Sequence, residues 1–98
     1  MSILIFKNRL LNRFEAMGGD GHAMIEFRQY PGAIIFYSLI LRQENQSAEL
    51  QERLIKYVLD YAKENELKII PLCPFIKKYI NRRQSEYKCV GKIFEPKQ

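Results

Sequence analysis

Leu59-Asp60-Tyr61-Ala62-Lys63-Glu64-Asn65-Glu66-Leu67-Lys68-Ile69-Ile70-Pro71-Leu72-Cys73-Pro74-Phe75 is the stretch on which the fold turns. Its first residues continue a helix that opens near Leu50. Leu50, Leu54, Tyr57, Val58, Tyr61 and Ala62 recur at the spacing of one helix face, and Ile55 and Leu59 widen that face. Asn65 is the residue expected to turn left-handed and end the helix. Leu67 to Leu72 then reads as a buried strand, with Pro71 at its end because proline has no N–H for a ladder. Cys73-Pro74-Phe75 opens a second helix, since proline suits the first helical position, and Phe75, Tyr79 and Ile80 give it one apolar side.

Upstream the period is that of strands. Ile3 to Phe6 is apolar and Arg13 to Met17 alternates. Gly18-Gly19-Asp20-Gly21 is a turn, and His22 to Tyr30 places Ala23, Ile25 and Phe27 opposite Met24, Glu26 and Arg28. Pro31-Gly32 makes the next turn, and Ala33 to Leu41 reads as a mostly buried central strand. Asn45 or Ser47 can cap the long helix, and Glu49 and Glu52 lie where its dipole favours negative charge. A strand, a helix and a further strand in one sheet imply a parallel crossover. The predicted class is therefore α+β: an antiparallel meander, a βαβ crossover and a short C-terminal helix. Tyr87 and Val90 to Phe94 are expected to finish with packing and a short edge strand.

The 98 residues suit a single domain spanning residues 1–98. With 47% hydrophobic and 28% charged residues, the composition is ordinary for a globular chain and excludes collagen-like or wholly disordered classes. The longest apolar run, Ala33 to Leu41, is interrupted at Ser38 and is far below the roughly 20 residues that span a bilayer, so no membrane partner is expected. The formal net charge is +5, and the excess lies in the second half; between Lys77 and Lys92 six bases face the single acid Glu86. Such a stretch raises the local concentration of anions. Cys73 and Cys89 do not form a disulfide framework, and with the single His22 they match no zinc spacing. Free thiols and the lack of a targeting pattern point to the cytoplasm.

The quoted stretch, followed by Lys78-Tyr79-Ile80, resembles the small single-domain branch of the GNAT N-acetyltransferase superfamily. That branch ends a strand in Pro-x-Cys-Pro-Phe, here Pro71-Leu72-Cys73-Pro74-Phe75. Asn12-Arg13-Phe14-Glu15, the glycine-rich turn and Glu26-Phe27-Arg28 fit the same pattern, so the resemblance covers nearly the whole chain. It implies a GNAT-like mixed sheet and acetyl transfer from acetyl-CoA to an amine. The coenzyme's pantetheine arm would pair with the backbone around Leu39, Ile40 and Leu41. Its pyrophosphate would sit on the N-terminus of the long helix, at Gln46-Ser47-Ala48-Glu49-Leu50-Gln51 and Glu52, helped by Lys77 and Lys78. Cys73, at the start of the second helix, would lie near the acetyl group.

Departures from the family pattern concentrate at that loop. The pattern has Gln or Arg, two residues, Gly, one residue, then Gly or Ala. Here Gln46 matches, but Glu49 stands for the first glycine and Gln51 for the second small residue. Glycine would let a phosphate approach the backbone, whereas a carboxylate adds bulk and repels it. Glu49 and Glu52 instead supply the negative charge that a helix N-terminus takes from its ligand. The family's His-Thr pair on the central strand is Ser38-Leu39 here, and its His-Pro-Glu-Tyr is Gln84-Ser85-Glu86-Tyr87.

Two functions of different kinds follow. One is an N-acetyltransferase acting on an amine with an unusual pyrophosphate loop. The other is a catalytically inactive GNAT-fold binding protein that has lost CoA. Nucleic-acid binding through the basic half, with Tyr79 and Tyr87 for stacking, is a weaker third, because no recognised motif accompanies it. The acceptor also needs a base, for which Glu26 is a candidate. His22 reads as a surface residue and Cys89 as packing.

Overall fold

The computed structural model describes residues 3–19, 21–42 and 48–83. Asp20, Asn45, Gln46, Ser47 and the segment from Gln84 onward, including Tyr87, Cys89 and Val90 to Phe94, lie outside the described residues.

Strands β1 (Leu4–Asn8), β2 (Arg13–Gly18), β3 (Gly21–Tyr30) and β4 (Ala33–Leu41) form the predicted antiparallel meander. Helix α1 (Ala48–Glu64) leads to β5 (Lys68–Pro71), which pairs parallel with β4, and α2 (Pro74–Arg82) follows. The sheet order β1-β2-β3-β4-β5 is the order of the sequence. Turn chemistry accounts for the tight connections. Gly18 pairs with Gly21, and Gly19 between them has φ +56°. Tyr30 pairs with Ala33 across Pro31-Gly32, where Gly32 at φ +79° takes the positive-φ position of a type II turn.

Both helices pack on one face of the sheet. Phe14, Ala16, Ala23, Ile25, Phe27, Ile34, Phe36 and Ile69 meet Leu50, Leu54, Ile55, Val58, Leu59 and Ala62 of α1 and Ile76, Tyr79 and Ile80 of α2. Phe14 is the centre of this layer. It is fully buried, with ring centroids of Phe27 at 4.7 Å and Tyr61 at 5.2 Å. Burying such a ring contributes on the order of 2 kcal/mol from removed apolar surface alone. Lys7 reaches the same face, where its Nζ donates to Tyr61 Oη at 2.6 Å and lies 4.6 Å from that ring.

Three local expectations shift. The buried stripe of α1 is Leu50, Leu54, Ile55, Val58, Leu59 and Ala62, centred on Val58, while Tyr57 is exposed and Tyr61 half-buried. In α2 it is Ile76 that turns inward, and Phe75 is exposed. The left-handed residue ending α1 is Glu66, at φ +54°, one position after Asn65. Leu67 N–H donates to Ala62 O and Glu66 N–H to Lys63 O, the two bonds of a Schellman cap. Asn65 serves the cap with its side chain, which donates to Tyr61 O at 2.8 Å.

Candidate functional site

The site begins with a defect in sheet pairing. β4 pairs with β5 only from Ala33 to Phe36, ending with Leu72 N–H donating to Phe36 O at 3.0 Å. Pro71 ends β5, and α2 begins three residues later at Pro74. Among the described residues β4 has no partner on that side for Tyr37 to Leu41, so a gap opens between it and the chain after β5. Arg42 N–H donates to His22 O, which fixes the phase of the strand. Ile40 and Arg42 present their backbone groups to β3, and alternation turns those of Leu39 and Leu41 to the gap. Among the described residues no strand pairs with this edge. Unpaired N–H and C=O groups of this kind need a partner from water or a ligand. The side chains of Leu39 and Leu41 meanwhile pack against the core, which holds the edge in place.

A bulge sits at the apex. Glu26 pairs with Ser38 and Phe27 with Phe36, so Tyr37 is an extra residue in β4. Bulges bend the strand that carries them, and this one bends β4 where it parts from β5. Ser38 Oγ–H donates to Glu26 Oε1 at 2.7 Å. Glu26, Phe27, Arg28 and Tyr37, with Leu11 and Asn12 of the β1–β2 turn, line a cavity of about 390 Å³.

The next described element after β4 is α1, whose first turn opens at Ala48. Ala48 and Glu49 are exposed, Leu50 is buried in the core, Gln51 is half-buried and Glu52 is exposed. The loop expected to run through Gln51 is therefore already helix from Ala48 onward. Only backbone groups of Leu50 could serve a ligand, because its side chain packs inward. The Glu49 carboxylate is 3.8 Å from Arg53, one turn on. A second groove, of about 330 Å³, runs between the helices and is lined by Glu49, Glu52, Arg53 and Lys56 with Tyr79 and Arg83 of α2. The Arg83 guanidinium stacks 4.2 Å from the centre of the Tyr79 ring. Lys77 is half-buried and Lys78 exposed; neither is among the residues lining that groove.

Cys73 is the N-cap of α2, a free thiol only 1% exposed. The chain thus brings the β4 edge, the bulge and Cys73 to one apex, with the first turn of α1 at the far end of β4.

Two features escape a reading by residue type. Tyr37 becomes an extra strand residue only through the cross-strand register, which no single strand reveals. His22 is not simply at the surface: its Nε2 lies 2.8 Å from Oε1 of Glu15, which is 7% exposed and also accepts from Asn8 Nδ2 at 2.7 Å. Burial pushes the Glu15 carboxyl up, but the hydrogen bonds from Asn8 and His22 and the charges of His22 and Arg13 outweigh it and leave it below 4.5. The signal was available, since the glycine turn makes Glu15 and His22 diagonal neighbours on one face.

Among the described residues no helix is long and apolar enough to cross a membrane. Searches of curated proteins and of solved structures find no match to the chain. The family described as GCN5-related N-acetyl-transferase matches residues 13–90, which takes in β2 to β5 and both helices but not β1. With that match over most of its length, and a splayed β4–β5 pair in a mixed sheet, the chain belongs to the GCN5-related N-acetyltransferase family and is acetyltransferase-like.

Proposed function

We propose that the chain transfers an acetyl group from acetyl-CoA to an amine, and that its hold on the coenzyme's pyrophosphate is weak. The observation that carries this is the unpaired edge of β4 at Leu39 and Leu41, an extended backbone ladder that suits the amide groups of a pantetheine arm. Acetyl-CoA supplies an acyl carbon already activated as a thioester. The chain supplies orientation: the β4 edge fixes the arm, and the bulge at Tyr37 sets where its end lies. Cys73, just past the last β4–β5 hydrogen bond, is assigned a place beside the acyl group, acting from the floor of the gap. A reducing compartment such as the cytoplasm keeps that thiol free.

The first turn of α1 fits the coenzyme less well. Its leading N–H groups and dipole suit a pyrophosphate, but Glu49 and Glu52 bring negative charge to the same place. Gln46 and Ser47 belong to this reading as further contacts, with Lys77 and Lys78 as distant cations. Those two carboxylates favour a second reading, a binding protein that keeps the fold and has lost the coenzyme.

Titration of acetyl-CoA into isotope-labelled protein separates the two. The transferase reading expects amide shifts at Leu39 and Leu41 and along residues 48–52. Absence of shifts at millimolar acetyl-CoA overturns it and leaves the binding-protein reading.

A further inference from the structure

The cavity at the bulge has a composition that selects among amines. Glu26 lines it with a carboxylate whose Oε1 is held by Ser38, and whose other oxygen has no partner among the described residues. Arg28 stands two residues further along β3 on the same face, roughly 7 Å away along the strand. Leu11, Phe27 and Tyr37 add apolar wall. One negative and one positive group, a strand repeat apart, match a small molecule that carries both charges. The volume of about 390 Å³ falls within the range of small-ligand sites. Tyr37 belongs both to this cavity and to the stretch of β4 beyond its pairing with β5, so that residue joins the cavity to the start of the gap.

We propose that this cavity is the acceptor site and that the acceptor is a small amino acid, with its ammonium at Glu26 and its carboxylate at Arg28. The inference rests on the transferase reading and gives it a substrate class. Glu26 acts as the base: an N–H bond of the ammonium breaks, an O–H bond forms on the Glu26 carboxylate, and the electron pair stays on nitrogen. That proton passes to solvent; the nitrogen lone pair bonds to the thioester carbon, the C–S bond breaks, and the thiolate takes the second proton lost from nitrogen and leaves as the CoA thiol. Ser38 is a positioning residue, because its hydroxyl holds the carboxylate toward the cavity without reaching the acceptor. The charged and titratable groups facing Glu26 are Arg13 across the strand pair on β2, Arg28 along β3 and Tyr37 on β4. A diamine would place a second cation beside Arg28 and be disfavoured.

The test compares leucine with 3-methylbutylamine, which lacks only the carboxylate, and with putrescine, following thiol release at saturating acetyl-CoA. Leucine is expected to exceed the simple amine by about tenfold or more in kcat/KM, as befits one charged hydrogen bond. Arg28→Gln, at an exposed position, should erase that advantage through KM. Glu26→Gln should lower kcat by about 100-fold, with acetyl-CoA binding unchanged. Glu26→Asp should recover part of the rate and so separates the base from the fold. Equal rates for the three amines, or an unaltered kcat in Glu26→Gln, overturn the inference. If acetyl-CoA does not bind at all, the transferase reading fails. The acceptor site is then judged by leucine-induced amide shifts at Glu26, Arg28 and Tyr37, whose absence overturns it too.

Discussion

Replacing Glu49 by Gln removes one charge from the first turn of α1 and leaves side-chain bulk almost unchanged. Its carboxylate side chain is 57% exposed, so the surrounding medium is close to water in dielectric. A pyrophosphate charge one helical pitch from this carboxylate would be about 6 Å away. Two unit charges at that distance repel by about 0.7 kcal/mol in water, and a doubly charged pyrophosphate by about 1.4 kcal/mol. Arg53, 3.8 Å away, offsets part of this. The variant should therefore bind CoA roughly three- to tenfold more tightly. Stability should move the other way, because a first-turn carboxylate contributes about 0.3–1 kcal/mol through the helix dipole. Calorimetric titration of CoA at about 0.1 M and 1 M salt, beside thermal melts without ligand, reads both effects. At 1 M salt the screening length falls to about 3 Å and the affinity gain should vanish. Parent protein that binds CoA as tightly as the variant, or a gain that survives high salt, would refute the electrostatic account of the loop.

Three further outcomes are expected. Glu66→Gly should stabilise the protein by about 0.5–1 kcal/mol, raising the melting temperature by a few degrees, because glycine takes a left-handed φ without the Cβ clash. A lower melting temperature would show that the Schellman cap tolerates Glu66 at no cost. Glu15→Gln should cost about 1.5–3 kcal/mol at neutral pH by removing charged hydrogen bonds. The folded carboxyl lies below 4.5, so its contribution is present above that pH and fades as pH falls through the folded value. Denaturant melts of parent and variant should therefore draw together as pH falls below 4.5, and a difference that stays constant down to about pH 2 would contradict the linkage. Cys73→Ala should lower acetyl transfer more than stability if the thiol serves the acyl group; full turnover with a lowered melting temperature would make Cys73 a packing residue of the core.

Much of the architecture was legible because period and breakers agree. Leu50 to Ala62 keeps one helical phase, Pro71 cannot donate within a ladder, and Pro74 prefers a first helical turn, so crossover and second helix follow. What stayed hidden depends on phase between elements. Phe75 and Ile76 are both apolar, and only the angle at which α2 meets β5 makes Ile76 the buried one. Asn65 has the better left-handed propensity, yet the hydrogen bonds of the cap place the turn at Glu66. The β4 edge was foreseen around Leu39 to Leu41 from family resemblance, whereas the bulge that bends it arises from the offset between β3 and β4.

The sequential order of the strands has a bearing on how the molecule comes to be. Four strands zip to their immediate neighbours through short connections, and among the described strands it is the pairing of β4 with β5 that must wait for a whole helix to be made and swung across. Closing that long loop is the slow, entropically costly event. A nucleus in the meander, with late docking of α1 and β5, should give Phe14 and Ile25 high φ-values and Ile69 a low one. The opposite ranking would mean that the crossover organises the meander.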